Sequence, residues 1–281
     1  AASRREVEGA APGAPSADLV RRLARVWVAP DFPRGRPPLL VLGSDPRADL
    51  AHRLAGIATR LVEGVSELPR RLAGMTRGGV VDGVVYRGRP GRRAVALTFD
   101  DGPEPLYTPL LLDTLDRLGL HATFFLVGHR VEQYPYFARA IRDRGHELAS
   151  HGYSHVPLAR LSPSQLAGEL DQAQRVLQLH AGMRPALFRP PGGRYSPAVL
   201  RAAAQRGLVT VLWTDAPGDY GPLDPQKLLP RLLSRLYAGG ILLLHQGTPG
   251  TLRLLPELDR TLHRLGYQVT TVSGLLERKT Q

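Results

Sequence analysis

From Arg93 onward, short apolar runs alternate with helix-type segments, and this alternation restricts the fold more than any other feature of the chain. The runs are Ala94–Phe99, Ala122–Val127, Glu147–Ser150, Leu187–Arg189, Val209–Trp213, Ile241–Leu244 and Tyr267–Val272. Between them lie Pro109–Leu118, Tyr136–Arg144, Ser164–Leu179, Pro197–Arg206, Pro225–Leu236 and Arg253–Leu265. Ser162-Pro163, Ser196-Pro197 and Asp224-Pro225 are helix-opening pairs, and Gly119, Gly145, Gly182, Gly207, Gly239 and Gly266 are helix-closing residues. Strand followed by helix, repeated, predicts a parallel sheet. Seven such units closing on themselves make an α/β fold of the distorted (β/α)7 barrel kind; an open doubly wound sheet is the alternative.

Residues 1–92 read differently, as a small α-rich N-terminal extension without a chemical motif. Ala1–Asp18 is a tail rich in Ala, Gly, Pro and Ser. Helical spacing marks Leu19–Val28 and Ala48–Met75, and strand-like runs occur at Leu39–Gly43 and Gly83–Tyr86. The domain division expected is therefore an extension over 1–92 and a barrel over 93–281.

Composition narrows the chemistry. The chain has no cysteine, so any metal must sit on histidines and carboxylates. Its formal net charge is +12, carried almost wholly by arginines spread along the sequence. No basic, aromatic-studded stripe marks a nucleic-acid partner, whereas anionic wall polymers or membrane surfaces suit the charge. No apolar run approaches the roughly 18 residues of a membrane helix. Ala1–Ser3 shows no signal peptide, and a start without Met suggests a trimmed chain.

In a barrel, functional residues gather at the C-terminal ends of the strands. Asp100 and Asp101 follow the first run, His151 and His155 the third, Arg189 the fourth, and Asp215 and Asp219 the fifth. His245 ends the sixth. Two histidines four apart can aim both imidazoles at one point, and one aspartate completes a site with open positions for water and substrate. Such a pair alone is common on surface helices; the strand-end placement and the Asp-Asp partner give it weight. Neighbouring side chains in an extended segment point to opposite sides, so Asp100 and Asp101 should do different jobs. One binds the metal and the other addresses its water. Opposed directions also argue against a glycosidase pair, whose carboxylates face each other across a sugar.

These runs resemble a known family. Thr98-Phe99-Asp100-Asp101-Gly102-Pro103 is similar to the first signature of the polysaccharide deacetylases, the nodulation-deacetylase-like carbohydrate esterases. Gly145 through His155 resembles the second, Phe188-Arg189-Pro190-Pro191-Gly192-Gly193 the third, Asp219-Tyr220 the fourth and Leu243-Leu244-His245 the fifth. The motifs stand in family order over Arg93–Leu276. The resemblance implies a distorted barrel in which Asp100 is the general base and Asp101, His151 and His155 hold the metal. His245 would be the general acid, Arg189 would hold Asp100, and Asp219 would orient Arg189. Leu243 and Tyr220 would line the acetyl pocket, and the N–H near Gly192 would meet the oxyanion. The cofactor implied is a divalent ion, Zn2+ first, with Co2+, Ni2+ or Mn2+ also accepted by such a donor set.

The chain departs from the family pattern at Gly152 (usually Ser or Thr), Gly192 (often aromatic), Tyr220 (usually Trp) and Gln246 (frequently Asp). Asp215 lies one place from a family aspartate, which leaves its role open. None of these removes a metal ligand or proton-transfer group. The expected activity is removal of the N-acetyl group from an N-acetylglucosamine-containing polysaccharide such as peptidoglycan or chitin-like oligomers, outside the cytoplasm or at the cell envelope. Two other readings stay open: a metal-dependent hydrolase of a small amide or ester, and a non-catalytic wall-binding protein. Oligomeric state is not legible.

Overall fold

A computed structural model describes residues 79–277, apart from 82, 89, 90, 92, 220–224 and 235. The expected tail, the helices Leu19–Val28 and Ala48–Met75 and the strand Leu39–Gly43 lie outside the described residues.

All seven expected strands form. A hairpin of β1 (Val80–Val81) and β2 (Val84–Val85) precedes them. The runs then become β3 (Ala94–Gly102), β4 (Thr123–Leu126), β5 (Glu147–Ser150), β6 (Leu187–Phe188), β7 (Val209–Val211), β8 (Gly240–His245) and β9 (Gln268–Thr270). The order is β1-β2-β7-β6-β5-β4-β3-β8, with β9 also paired to β3, and only the β1–β2 pair is antiparallel. Beyond β7 the chain crosses to β8: Thr214 donates to the Ile241 carbonyl at 3.0 Å and Leu243 to that of Asp215 at 2.9 Å. This contact closes the sheet into a barrel.

The helices are α1 (Tyr107–Leu118), α2 (Gly128–Gln133), α3 (Pro135–Asp143), α4 (Pro163–Ala181), α5 (Pro197–Gln205), α6 (Pro225–Leu233), α7 (Pro249–Arg264) and α8 (Val272–Leu276). α4 opens with a capping box, Ser162 on the Gln165 N–H and Gln165 on the Ser162 N–H, and ends at Gly182 in the left-handed region at φ 69°. Sequence spacing does not reveal α2, which is only six residues long. It also extends the last strand to Val272, where the chain instead starts α8 with Thr271 as cap.

Strand parity decides which side chains enter the barrel. Val95, Leu97, Phe99, Phe124, Leu126, Leu148, Leu242 and Leu244 pack with helix residues such as Leu111, Leu115, Leu177 and Leu258. The alternate positions, Ala94, Ala96, Phe125, Ala149 and Ile241, form an inner cluster with Val272 and Leu275 of α8. A strand buried on both faces explains why the runs read as continuous apolar stretches. On β3 the inner series continues from Ala94 and Ala96 to Thr98 and Asp100, so the interior changes from apolar to polar along the strand.

Glu147 closes the end opposite the β3 aspartates. Its carboxyl accepts from Thr123 Oγ1 at 2.7 Å, from the Ser273 N–H at 3.2 Å and from the Ser273 hydroxyl. Burial raises its pKa, which the Ser273 and Thr123 hydrogen bonds only partly offset. His146 beside it packs on Phe124, with ring centroids 5.2 Å apart, and its Nε2 is buried with no hydrogen bond.

Burial, with His121 and Arg144 nearby, lowers the His146 pKa from 6.5 to about 4. Between those values the unfolded chain holds the extra proton, so stability present above pH 6.5 is lost as pH falls towards 4. His146→Gln, which cannot take up a proton there, should flatten this acid loss. Urea unfolding at pH 7 and pH 4.5 should show a stability difference smaller than the parent's by about 1–2 kcal/mol. An unchanged difference would assign the acid sensitivity elsewhere.

Candidate active site

The interior of the barrel mouth is organised around Arg189, which follows β6 and is fully buried. Its Nη1 donates to Asp100 Oδ1 at 2.6 Å and to Thr98 Oγ1 at 2.9 Å. Nε and Nη2 donate to the Val211 and Leu212 carbonyls at 3.3 and 3.1 Å. The guanidinium lies 3.9 Å over the Phe125 ring and 5.6 Å from that of Trp213. One oxygen of Asp100 is thereby fixed. The other, Oδ2, lies 3.7 Å from His151 Nε2.

Asp101 leaves the extended geometry of β3, with φ at 70°, so the opposed directions expected for neighbouring side chains do not hold: its carboxylate and that of Asp100 both approach His151 Nε2. Its Oδ1 lies 3.4 Å from His151 Nε2 and 3.1 Å from His155 Nε2. These ligand atoms all fall within 4.8 Å of one another, which makes Asp101, His151 and His155 a metal-sized cluster. His151 Nδ1 lies 2.7 Å from the Arg189 carbonyl, which can only accept. Nδ1 therefore carries the proton, and the Nε2 lone pair is turned towards Asp101. Asp101 Oδ1 is buried without a hydrogen bond. A carboxylate oxygen and two imidazole nitrogens converging on one point fit a cation.

Electrostatics agree. Burial works against an ionised Asp101, but the His151 and His155 rings beside it outweigh that effect and hold the carboxyl far below the ordinary range. Burial likewise opposes a charged His151, while Asp100 and Asp101 beside it push its pKa up. The cluster draws in positive charge. Arg130 of α2 donates to the Asp101 carbonyl at 2.9 Å and steadies the turn from outside.

His245, the last residue of β8, pairs with Asp219. Nδ1 lies 2.8 Å from Asp219 Oδ1, and Asp219 Oδ2 accepts from the His245 N–H at 2.7 Å and from Thr251 Oγ1 at 2.6 Å. This corrects the expectation that Asp219 orients Arg189: both its oxygens serve His245, and the bonds found for Arg189 run to Thr98, Asp100 and two carbonyls. β8 pairs Asp100 with His245 and Thr98 with Leu243, so these residues share one stretch of the barrel. Leu243, 4% exposed, has the inner parity of Ile241 and His245. Gly192 lies exposed on the turn after β6. Asp215 is buried in the crossing to β8. Tyr220 lies outside the described residues.

Sequence reasoning missed Thr98, Arg130 and Thr251. Thr98 was available from its parity with Asp100. The others act from helices, where no spacing rule points at a strand end.

A family model described as polysaccharide deacetylase matches residues 87–211, a span that includes all three members of the metal-sized cluster. A peptidoglycan-N-acetylglucosamine deacetylase of Bacillus cereus is 34% identical over 196 residues, 66% of this chain and 90% of that protein. The chain belongs to the polysaccharide deacetylase family. A chitooligosaccharide deacetylase of a Bradyrhizobium species is another relative, 33% identical over 64% of this chain and 89% of its own length. Among solved structures, a carbohydrate esterase family 4 pseudoenzyme of Bacillus anthracis superposes with TM-score 0.67 at 29% identity, covering 69% of each chain.

Removing the guanidinium would strand the Asp100 carboxylate in the interior. Arg189→Ala is expected to lower unfolding stability by about 3–5 kcal/mol in a denaturant titration. A loss below about 1 kcal/mol would mean that the carboxylate finds water or another partner.

Proposed function

We propose that this protein is a metal-dependent deacetylase that hydrolyses the N-acetyl group of an N-acetylglucosamine-containing polysaccharide, such as peptidoglycan or a chitin-like oligomer. The barrel domain, residues 93–281, carries the chemistry. The observation that supports this most is the convergence of the Asp101, His151 and His155 cluster with two separately held proton-transfer groups, Asp100 and His245. The substrates named for the bacterial relatives, peptidoglycan and chitooligosaccharides, favour a sugar polymer over a small amide. Action at the cell envelope follows from such a substrate.

An amide is a weak electrophile with a poor leaving group. A divalent ion on Asp101, His151 and His155, Zn2+ by preference for this donor set, supplies Lewis acidity towards the acetyl carbonyl and acidifies water. Asp100 is the general base. Arg189 ties up its Oδ1, so Oδ2 receives the proton on the side of the two histidines. His245 is the general acid for the departing nitrogen. Asp219 takes its Nδ1 proton in a hydrogen bond, which turns Nε2 the other way and steadies the ring while it carries charge. The N–H at Gly192 is assigned to the tetrahedral oxyanion, and Leu243, with Tyr220, to the wall against the acetyl methyl group.

Acetate release from chitin oligomers and from peptidoglycan, with and without a chelator, tests the proposal directly. Activity that survives complete metal removal would sink it. Two variants separate the roles. Asp100→Asn should keep about one metal ion per chain yet lose about 10²–10⁴-fold in kcat. His151→Ala should lose the metal. Equal metal content and full turnover in both would discard the assignment.

A further inference from the structure

We infer that Glu169 is a positioning residue for metal binding, holding the backbone of residues 152–155 so that His155 is aimed at the site. The inference rests on the proposed metal-dependent reading. Among the described residues, only Asp101 at φ 70° and His155 at φ 58° are non-glycine residues in the left-handed region. Both belong to the metal-sized cluster. A residue other than glycine persists there only when its surroundings hold it.

For His155 the hold must come through the backbone. The His151 ring is steered by the Arg189 carbonyl, and the His245 ring by Asp219. The His155 side chain is 42% exposed, and among the described residues its polar and ring contacts are with Asp101 and the His151 ring. Neither of these is a partner on the far side of the ring of the kind that His151 and His245 have. Its loop, by contrast, is bonded along its length. Glu169 Oε2 accepts the N–H groups of Tyr153 and Ser154 at 3.1 and 3.0 Å, and Oε1 accepts the Ser154 hydroxyl. The Gly152 and Tyr153 carbonyls accept from Gly128 and His129 of α2, each at 2.9 Å. Glu169 itself rides on α4, whose Leu166 and Leu170 are buried in the core. One carboxylate thus fixes the two residues immediately before His155 to a rigid helix. Gly152 has no side chain to offer, so the hydroxyl in this clamp is that of Ser154.

Zn2+ affinity, measured by competition with a chromophoric chelator on the full chain, tests the role without reference to turnover. Co2+ absorption reports the coordination geometry alongside it. Glu169→Ala should weaken Zn2+ binding by about 10–100-fold and change the Co2+ spectrum. Glu169→Gln should stay near the parent, because its carbonyl can accept both N–H groups and its NH2 can donate to Ser154 Oγ. Leu166→Ala, which loosens α4 but removes no hydrogen bond to residues 152–155, should lower Tm and leave Zn2+ affinity unchanged. If Glu169→Ala does not fold, Ser154→Ala should give a smaller loss in the same direction. Parent-like affinity in Glu169→Ala, or in Ser154→Ala where that variant replaces it, would overturn the inference, as would an equal loss in Leu166→Ala. A parent protein that binds neither ion would instead overturn the proposed function.

Discussion

The buried pair of Arg189 and Asp100 is the interaction on which the rest of the site depends. Taking both charges out of water costs several kcal/mol per ion, so the pair persists only because its remaining valences are met. Thr98 and the Val211 and Leu212 carbonyls accept the other guanidinium protons, and the Phe125 ring covers one face of the plane. The barrel can accommodate this because the inner positions below Asp100 on β3 are small, Ala94 and Ala96. Once Arg189 holds Oδ1, Asp100 has one oxygen left for chemistry and a fixed direction in which to offer it. The Arg189 carbonyl also meets the His151 ring, so a single residue positions Asp100 through its side chain and a histidine of the metal-sized cluster through its backbone.

The two sides of the site are built differently. His245 and Asp100 occupy paired strand positions, and each is held by a buried ionic partner, Asp219 or Arg189. Their geometry is as stiff as the sheet. Asp101, at the irregular end of β3, and His155, in the loop after β5, have unfavourable backbone angles and are steadied from the helices, through Arg130 and Glu169. Proton transfer needs fixed distances between a donor and an acceptor, which strands supply. Asp101 and His155 instead take their places from hydrogen bonds to their own backbone segments, through Arg130 and Glu169.

The fold was legible because the barrel strands are buried on both faces, which makes each a short apolar run between helix-opening and helix-closing residues. Glu147–Ser150 has the same bounds in sequence and structure. That Asp101, His151 and His155 come together was legible for a related reason: residues at strand ends have a place set by topology, so a chemical residue type there is informative by itself. Partnerships across the barrel were less so. Asp219 stands eight residues beyond the end of β7, and its partner depends on where that loop folds back, which no local period encodes. Glu169 looked like one more charge on the polar face of α4. Nothing in its spacing tells a solvated carboxylate from one that caps a neighbouring loop.

Departures from the family pattern obey the same constraints. A pseudoenzyme shares this fold, so the barrel alone does not secure catalysis. Gly152 adopts φ 78°, where a Cβ would meet nothing closer than 3.7 Å. Room for a side chain exists there, so backbone angle, not crowding, is what the glycine answers. Gln246 is more constraining. Its N–H donates to the Asp100 carbonyl at 3.1 Å, and its side-chain oxygen accepts from Thr108 at 2.8 Å. Its amide also lies against Gly102, where an added Cβ would come within 1.7 Å of Nε2. Gln246, the residue after His245, thus packs directly on the end of β3 that carries both aspartates. It ties β8 to β3 beside Asp100 and His245, so the glycine after Asp101 and the glutamine after His245 form a matched pair.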